Sequence, residues 1–400
     1  MREGWQVKPL KEVCQYQRGL TYTKSDEVEY SSNIVLRANN IDLGTHSLNL
    51  SDLKYISDDV VVSQSKRVRP GSLLICTASG SKSHLGKVAF IDKDYGCAFG
   101  GFMGQITPKK EVEERFLFYV LTSSIYKKYI DELSDGVNIN NLKYDQLGEF
   151  PVIVPPLPEQ RRIVAILDEA FEGIATAKAN AEKNLQNARE VFESHLNAVF
   201  SQRGEGWVNI GAVGDVFDGP HATPKTVDNG PIFLGIGALS NGKLNLGETR
   251  HVSLEDYKQW TRRVTPRSGD IVFSYETRLG QAAIIPDNLE CCLGRRMGLF
   301  RANQQKILPT FFIYQYISPP FQEFINTQIV RGATVDRISI KDFPSFPVWV
   351  PSIDEQQRIG SMSAAMSEET QHLESIYQQK LTALDELKQS LLHQAFNGDL

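Results

Sequence analysis

The pattern of apolar and polar positions divides the chain into two kinds of segment. Two stretches, 159–200 and 355–396, contain no proline and place an apolar residue at about every third or fourth position. This spacing gives a helix one apolar face, and a narrow stripe over many turns is typical of a coiled coil. The rest of the chain carries short apolar runs bounded by glycine, proline and asparagine, which predict strands.

Each helical stretch has its own stripe. The first is Ile163, Leu167, Ala170, Ile174, Ala177 and Ala181, changing phase to Leu185, Ala188, Phe192, Leu196 and Val199. The second is Ile359, Met362, Met366, Leu373, Tyr377, Leu384, Leu387 and Leu391. Each helix would start at its own globular domain. We therefore expect the two helices to pair antiparallel, with the two domains at opposite ends.

The globular segments show the same order of apolar runs. NIVLRAN, SLLICTA and KVAFI in the first half, and PIFLGI, DIVFSY and AAIIP in the second, predict strands. Segments 112–133 and 308–330 are predicted to be helical. PVIVPP is expected to be extended, because a residue that precedes proline is driven away from helical geometry.

The second half of the chain repeats the first with a constant shift in number. Residues 151–200 and 347–396 align without a gap and share identical residues at Pro151, Val152, Val154, Pro155, Glu159, Gln160, Arg162, Ile163, Glu172, Leu185, Glu190, Ser194, Leu196 and Phe200. Two such copies imply one structural unit built twice. The predicted fold class is α+β, with two mixed domains alternating with two long helices that pair as an antiparallel coiled coil, in a pseudo-two-fold repeat. The predicted boundaries are 1–155, 156–203, 204–351 and 352–400.

Composition narrows the class of protein. The chain has 400 residues, of which 41% are hydrophobic and 23% charged, which is normal for globular domains. Its formal charge of −5 comes from the excess of acidic residues in 151–200 and 347–400, so the globular parts are neutral or slightly basic. No secretion signal and no long apolar span is seen, so we expect a cytoplasmic protein. The five cysteines and seven histidines lack metal-site spacing, and no metal is predicted.

The motif PLPEQRRI at 156–163, which opens the first helix and returns as PSIDEQQRI at 351–359, carries a family resemblance. Together with LLHQAFNGDL at the end of the second helix, it resembles the specificity subunit of type I restriction-modification systems. The resemblance covers essentially the whole chain. One departure from the family's pattern is that the second copy has Ile353 and Asp354 where the family would have a proline-rich start.

This resemblance implies a subunit with no catalytic activity and no cofactor. It implies that each globular domain reads one half of an interrupted double-stranded DNA sequence and that the helices set the unread gap. It further implies two adenine-methylating modification subunits docked on the helices, joined by ATP-dependent restriction subunits. No membrane partner is implied.

Two alternatives come from other classes of protein. FLGIG (233–237) and SPPF (318–321) match glycine-loop and catalytic motifs of S-adenosylmethionine methyltransferases. A cofactor loop joins a strand to a helix, whereas FLGIG runs into an Asn-Gly turn, and the first copy lacks both motifs. The other alternative is an adaptor that binds only protein.

Base and phosphate recognition calls for hydrogen-bonding side chains on loops of a rigid scaffold. In the first domain the candidates are Arg18, Thr21, Lys24, Arg37, Asn39, Asn40, Ser79, Ser81, Lys82, His84, Asn138 and Asn140. In the second they are His221, Thr223, Lys225, Tyr275, Thr277, Arg278, Arg295, Arg296, Arg331 and Arg337. At the two helix starts, the candidates for helix capping or subunit contact are Glu159, Gln160, Arg162, Glu355, Gln356 and Arg358.

Overall fold

The computed structural model describes residues 3–135, 141–201, 204–332 and 335–400. The chain divides into two compact units. The first unit is Met1–Asn180 with Lys380–Leu400, and the second is Ala181–Gln379. Within the described residues, no helix combines the length and apolar character needed to cross a bilayer.

The first half of the chain contains ten strands and five helices among its described residues. The strands are β1 (Gln6–Pro9), β2 (Cys14–Arg18), β3 (Glu27–Val28), β4 (Asn33–Leu36), β5 (Lys54–Ile56), β6 (Leu73–Cys76), β7 (Val88–Phe90), β8 (Ala98–Phe99), β9 (Met103–Pro108) and β10 (Pro151–Val154). The helices are α1 (Leu10–Val13), α2 (Glu114–Val120), α3 (Ser124–Asp135), α4 (Tyr144–Gly148) and α5 (Leu157–Phe200).

The strands of the first unit form three sheets. One has the order β2-β9-β6-β7 with antiparallel neighbours, and one has the order β3-β5-β4-β8, in which β4 and β8 are parallel. The third pairs β1 with β10, so the PVIV segment is extended as predicted. Helices α2 and α3 pack on β6, β7 and β9 through a core that includes Leu73, Val88, Phe116 and Tyr126.

The second half of the chain contains eleven strands and four helices among its described residues. The strands are β11 (Trp207–Asn209), β12 (Gly214–Asp218), β13 (Val227–Leu234), β14 (Leu239–Ser240), β15 (Lys243–Leu244), β16 (Arg250–His251), β17 (Ile271–Ser274), β18 (Ala282–Ile284), β19 (Cys291–Leu293), β20 (Met297–Ala302) and β21 (Pro347–Trp349). The helices are α6 (Leu254–Trp260), α7 (Pro309–Ile317), α8 (Pro319–Thr327) and α9 (Ile353–Asn397).

The second unit repeats the sheet orders of the first. The order β12-β20-β17-β18 corresponds to β2-β9-β6-β7, and the β11-β21 pair corresponds to β1-β10. In β16-β13-β19, strands β13 and β19 are parallel, like β4 and β8. The second unit adds the hairpin β14-β15, whose turn residues Asn241 and Gly242 both have positive φ, as Asn-Gly turns require. The duplicated unit inferred from the sequence is confirmed.

The predicted helical segments 112–133 and 308–330 each form two helices rather than one. In the second unit, Ser318 separates α7 from α8 with an extended ψ of 147°. It is followed by Pro319, and proline disfavours helical geometry in the residue before it. In the first unit, the Ser123 hydroxyl donates to the Val120 carbonyl at 2.7 Å where α2 gives way to α3. The Ser123 hydroxyl and Pro319 therefore divide two segments that apolar periodicity alone predicts to be single helices.

In the first unit, the start of α5 lies beside the end of α9. Leu392, Ala395 and Phe396 share a core with Ile163 and Leu167. Farther along both helices, Lys178 forms an ion pair with Asp385. Because the residue numbers rise along one helix and fall along the other, the two helices are antiparallel here.

In the second unit, the end of α5 lies beside the start of α9. Leu196 and Ile359 are buried in one core, and Arg189 pairs with Glu374 at 2.6 Å. Phe200 packs against Phe311 with ring centroids 5.5 Å apart. The antiparallel pairing predicted from the stripes is therefore present within each unit.

Two positions of the predicted second stripe are wrong. The side chains of Met362 and Leu387 are exposed. Ser363 and Ser367 are buried on this helix instead, and the Ser363 hydroxyl lies 3.1 Å from His195 Nε2 of the other long helix. Apolar periodicity misses small polar residues of this kind, because their burial depends on partners from other elements.

Candidate nucleic-acid interface

Three loops of the second unit meet beyond the end of β17. The Tyr275 N–H donates to the Arg296 carbonyl at 3.2 Å, and the Ile338 N–H donates to the Tyr275 carbonyl at 2.8 Å. Glu276 and Arg337 form an isolated β-bridge. The backbone thus holds these loops as one surface, the second loop cluster, defined as residues 275–278, 295–296 and 336–338.

Side chains connect the second loop cluster further. Arg296 Nη1 donates to Thr277 Oγ1 at 3.1 Å, and Arg296 Nε lies 3.1 Å from Glu276 Oε2. Arg278 Nη1 donates to the carbonyls of Ile236 and Gly237 at 3.2 and 3.0 Å. Thr277 and Arg278 are exposed, so the cluster presents hydrogen-bond donors at the surface from a fixed backbone.

Asp218, at the end of β12, joins a further set of side chains to this cluster. Its Oδ1 accepts from the Tyr275 hydroxyl at 3.0 Å, and its Oδ2 lies 2.9 Å from His221 Nε2 and 3.7 Å from Arg263 Nη1. Burial, with the nearby Asp218 carboxylate, raises the pKa of Tyr275. The Tyr275 side chain is 4% exposed and its hydroxyl is engaged, so in this conformation Tyr275 positions the loop rather than facing solvent.

Two residues of the second loop cluster have left-handed backbone geometry. Thr277 has φ 68° and Arg296 has φ 72°. Such values are uncommon for residues other than glycine and especially for β-branched ones, and they cost about 1–2 kcal/mol each. Strain of this kind persists where surrounding bonds impose it, and it concentrates at functional sites.

The other candidates of the second unit lie on exposed segments. Thr223 and Lys225 lie between β12 and β13, and Arg295 precedes Arg296. Arg331 follows Val330, which forms a β-bridge with Arg337. The predicted residues that the fold brings together are therefore His221, Tyr275, Thr277, Arg278, Arg296 and Arg337.

The first unit has a loop cluster with the same backbone bonds. The N–H of Thr77, just after β6, donates to the Phe102 carbonyl at 2.9 Å, and the Leu142 N–H donates to the Thr77 carbonyl at 2.7 Å. Ala78 and Asn141 form the β-bridge that corresponds to Glu276 and Arg337. The first loop cluster is defined as residues 77–84, 100–102 and 141–142. Asn138 and Asn140, also candidates, lie outside the described residues.

The first loop cluster carries the serine and lysine candidates. Ser81, Lys82 and His84 lie at or next to a short 3-10 turn, Lys82–His84, and Ser79 Oγ accepts from the Ser81 N–H at 3.2 Å. His84 Nδ1 lies 2.7 Å from Lys87 Nζ. Partial desolvation and the Lys87 charge lower the pKa of His84. A neutral His84 at pH 7 offers one donor and one acceptor rather than a positive charge.

Candidates near β2 and β4 differ in how accessible they are. Arg18 and Thr21 are exposed, and the Gly19 N–H between them donates to the Met103 carbonyl at 3.1 Å, next to the first loop cluster. Lys24 is exposed on a 3-10 turn, Lys24–Asp26.

The Arg37, Asn39 and Asn40 group is organised around Asp52. Arg37 Nη2 and Asn39 Nδ2 donate to Asp52 Oδ2 at 3.1 and 2.6 Å. Asn40 is 1% exposed. Its oxygen accepts from the Arg37 N–H at 2.8 Å, and its nitrogen donates to the carbonyls of Asn49 and Asp52. The Asn40 carboxamide is thus committed to the backbone and is not available to a base edge in this conformation.

Both helix starts contain a buried glutamine, Gln160 or Gln356, bonded to the backbone of its own unit. Next to them, Glu159 and Arg162 form a bidentate pair with two distances of 2.8 Å, and Glu355 and Arg358 do the same at 2.9 and 2.7 Å. These ion pairs lie on the exposed side of the first helical turn. The structure therefore separates an inward glutamine from an outward ion pair at each helix start.

The structure disfavours the methyltransferase alternative on topology. After β13, the FLGIG segment enters a short 3-10 turn, Ile236–Ala238, and then the β14-β15 hairpin rather than a helix. In SPPF, Ser318 and Phe321 are buried in the domain core. Neither motif builds the strand, glycine loop and helix that cradle a nucleotide cofactor.

Three residues near these clusters were missed by the sequence-based selection. Arg263 lies beside Asp218, and Lys66 Nζ donates to the Arg18 carbonyl at 2.8 Å. Phe102 is an exposed aromatic residue within the first loop cluster. The two cations are brought in from distant parts of the sequence, and Phe102 lacks the hydrogen-bonding groups by which the other candidates are predicted.

Comparison with known proteins agrees with this architecture. The family model described as type I restriction modification DNA specificity domain matches residues 2–186 and again 207–382. The type I restriction enzyme EcoKI specificity subunit of Escherichia coli K12 is 28% identical over 100% of this chain and 89% of its own length. The StySPI specificity subunit of Salmonella potsdam is 25% identical, again over 100% of this chain and 89% of its own length.

Solved structures show the same fold. A chain from a study of complex assembly and conformational transition in the type I R-M system superposes with a TM-score of 0.77 and 20% identity, covering 100% of this chain and 99% of that one. The HsdS subunit from Thermoanaerobacter tengcongensis gives a TM-score of 0.58 at 20% identity, with 100% and 98% coverage. Since the family model matches both repeats, the chain belongs to the type I restriction-modification DNA specificity family, the non-catalytic subunits that provide DNA sequence recognition.

Proposed function

We propose that each unit of this specificity subunit reads one half of an interrupted double-stranded DNA sequence through its loop cluster. The observation that carries this proposal is that the two clusters share backbone hydrogen bonds but differ in side chains. Thr77 and Tyr275 make the same pair of bonds, while the exposed residues around them are serines and a lysine in one cluster and arginines in the other. A common scaffold with divergent surface residues is what two readers of different bases need.

The proposal assigns the segments of the chain as follows. Residues 1–155 and 204–351 are the recognition domains, and 156–203 and 352–400 are the helical spacers. Helices α5 and α9, of 44 and 45 residues, set the length of the unread gap. At about 1.5 Å per residue, each is about 66 Å long.

We further propose that the helices dock two adenine-methylating modification subunits, which ATP-dependent restriction subunits then join. In support, α5 and α9 leave large apolar side chains uncovered, among them Val191, Ile376 and Leu387. A docked subunit would bury these side chains, as the apolar core of a protein interface does. The proposed complex acts on intracellular DNA, so we expect it in the cytoplasm.

The test uses the subunit assembled with the modification subunits from the same genome. Mapping methylated adenines in DNA from cells that produce the complex should give one bipartite motif with a fixed gap. Arg278→Ala in the second loop cluster and Lys82→Ala in the first should each relax the sequence preference in one half only. A lost base contact costs about 1–3 kcal/mol, which is about fivefold to about 150-fold in discrimination.

Lys93→Ala is the matched control, because Lys93 is an exposed lysine between β7 and β8 outside the first loop cluster. It should leave both halves of the motif unchanged. Methylation with no sequence preference in the wild-type complex would overturn the proposed function. Equal relaxation of both halves by a single variant would overturn the assignment of one half to each unit.

A further inference from the structure

The first loop cluster exposes an aromatic side chain among polar loops. Phe102 is 73% exposed and follows Gly100 and Gly101. The side chains nearest to the two glycines include Thr21, whose Oγ1 would lie 3.7 Å from a Cβ placed on Gly101. Leaving a phenylalanine ring in water forgoes the burial of a large apolar surface. A single exposed apolar residue needs no explanation by itself, so its position has to carry the argument.

Phe102 occupies the position that Arg296 occupies in the second unit. Each residue immediately precedes a strand that begins with a buried methionine, Met103 or Met297. The Phe102 carbonyl accepts a hydrogen bond from the N–H of Thr77, which follows β6, at 2.9 Å. The Arg296 carbonyl accepts one from the N–H of Tyr275, which follows β17, at 3.2 Å. The two side chains thus leave equivalent points of the two loop clusters.

Cationic residues accompany Phe102. Arg18 pairs with Gly104 in the β2-β9 register, two residues beyond Phe102, and is exposed. Lys66 Nζ donates to the Arg18 carbonyl at 2.8 Å. An exposed apolar side chain two residues before the β9 partner of Arg18, whose carbonyl binds Lys66, fits a surface that meets DNA, where cations contact phosphates and apolar groups contact bases.

We propose that Phe102 makes an apolar contact with a base in the half-site read by the first unit, at the place where the second unit uses Arg296. This inference rests on the proposed function and deepens it. The contact is made either with a thymine methyl group at the edge of a base pair or with the face of a base at an opened step. In both cases Phe102 contributes to sequence preference and neutralises no phosphate.

The experiment uses the assembled complex and duplexes that carry its mapped bipartite site. Phe102→Ala should weaken discrimination within the first half-site by about tenfold or more, while Phe102→Leu should retain most of it. The slope of log affinity against log salt should stay unchanged for both variants, because no phosphate contact is lost. Tyr30→Ala is the matched control, since Tyr30 is an 81% exposed aromatic residue of the same unit between β3 and β4.

Two DNA modifications distinguish the forms of contact. Replacing each thymine of the first half-site with uracil removes one methyl group, and a wild-type affinity loss that disappears in Phe102→Ala supports the methyl contact. A fluorescence increase of 2-aminopurine in that half-site, present with wild type and absent with Phe102→Ala, supports contact with a base face.

Other outcomes overturn the proposal. These are unchanged discrimination in Phe102→Ala, a reduced salt slope with uniform weakening on all sequences, no response to either DNA modification, or a loss confined to assembly with the modification subunits. The last would show that Phe102 meets a protein. A wild-type complex without sequence preference would instead mean that the proposed function itself has failed.

Discussion

Gln160 and Gln356 hold the starts of the two long helices with the same three hydrogen bonds. Gln160 Oε1 accepts from the Glu113 N–H at 2.8 Å, and its Nε2 donates to the carbonyls of Glu111 and Pro155 at 3.0 and 2.8 Å. Gln356 makes the corresponding bonds to Leu308, Lys306 and Pro351 at 2.8, 2.9 and 2.8 Å. Both side chains are 0% exposed.

Each glutamine therefore ties the first turn of a helix to the loop before a domain helix and to the extended segment before the helix itself. Every donor and the acceptor of the carboxamide are used. A buried polar group that is fully bonded specifies one arrangement, because any other would leave its partners unpaired. A spacer that fixes a DNA gap needs such a defined attachment.

Replacing Gln160 or Gln356 with alanine should destabilise the unit that contains it. Removing the carboxamide leaves one backbone N–H and two carbonyls without partners in a buried site, at a cost of about 3 kcal/mol. Urea unfolding followed by circular dichroism should show an earlier transition for each variant.

The neighbouring residues Arg161 and Gln357 provide controls, since both are exposed on the same helical turns. Arg161→Ala and Gln357→Ala should change the free energy of unfolding by less than about 0.5 kcal/mol. If the buried and exposed variants behave alike, the attachment role of the glutamines is wrong.

Asp218→Asn should disturb the second loop cluster selectively. The asparagine NH₂ group would face the donors of His221 and Arg263, and the Tyr275 hydroxyl would lose a charged acceptor, so we expect a stability loss of about 1–3 kcal/mol. Urea unfolding should detect this loss, and because the Asp218 charge adds to burial in raising the pKa of Tyr275, the variant should also bring that pKa down.

The same variant should weaken discrimination in the second half of the methylation motif and spare the first. Asp215→Asn is the control, because Asp215 is exposed on the same strand, β12. Weaker discrimination in the first half with an intact second half would show that Asp218 does not organise the second loop cluster.

The features predictable from sequence are those set by repetition and periodicity. Phe200 and Phe396 are identical between the repeats, and both are buried where one long helix packs on the other within a unit. Their spacing within each helix is visible in a single sequence. The pairing direction follows because each helix starts at a domain of its own.

Features that depend on distant backbone partners could not be predicted in this way. The sequence RANN predicts that Asn40 is a surface residue. In the structure, Asn40 is buried and its amide nitrogen donates to the carbonyls of Asn49 and Asp52. Ser363 lies in the helix seam because His195 faces it. Phe102 becomes a candidate for a base contact only through its structural equivalence to Arg296. Each case depends on a partner that local pattern does not reveal.

Shortening both long helices by matched segments should shorten the gap without changing the bases read. Deleting 178–184 together with 379–385 removes Lys178 and Asp385 at once, so neither charge loses its partner alone. Seven residues are about two helical turns and about 10.5 Å, which corresponds to about 3 base pairs. Methylation mapping should show the original half-sites with a shorter gap.

Deleting only 178–184 is the informative comparison, because it leaves the helices mismatched in length. That variant should assemble poorly or lose methylation. An unchanged gap in the doubly shortened protein, or altered half-sites, would contradict the spacer role of the helices.

The cysteines should make the protein less stable at alkaline pH. All five are buried free thiols, and burial raises the pKa of Cys14 to about 12 and that of Cys76 to about 11. An unfolded thiol has a pKa of about 8.5, so above that pH the folded state binds more protons than the unfolded state. The stabilisation is complete below about pH 8.5 and is lost as pH rises towards the folded values, by up to about 1.4 kcal/mol per thiol and pH unit. Urea midpoints should therefore fall between pH 8.5 and 10, and less steeply in Cys76→Ala. Native protein should react slowly with a thiol reagent at pH 8. Rapid labelling of all five thiols without denaturant would show that the thiols are not buried with raised pKa values.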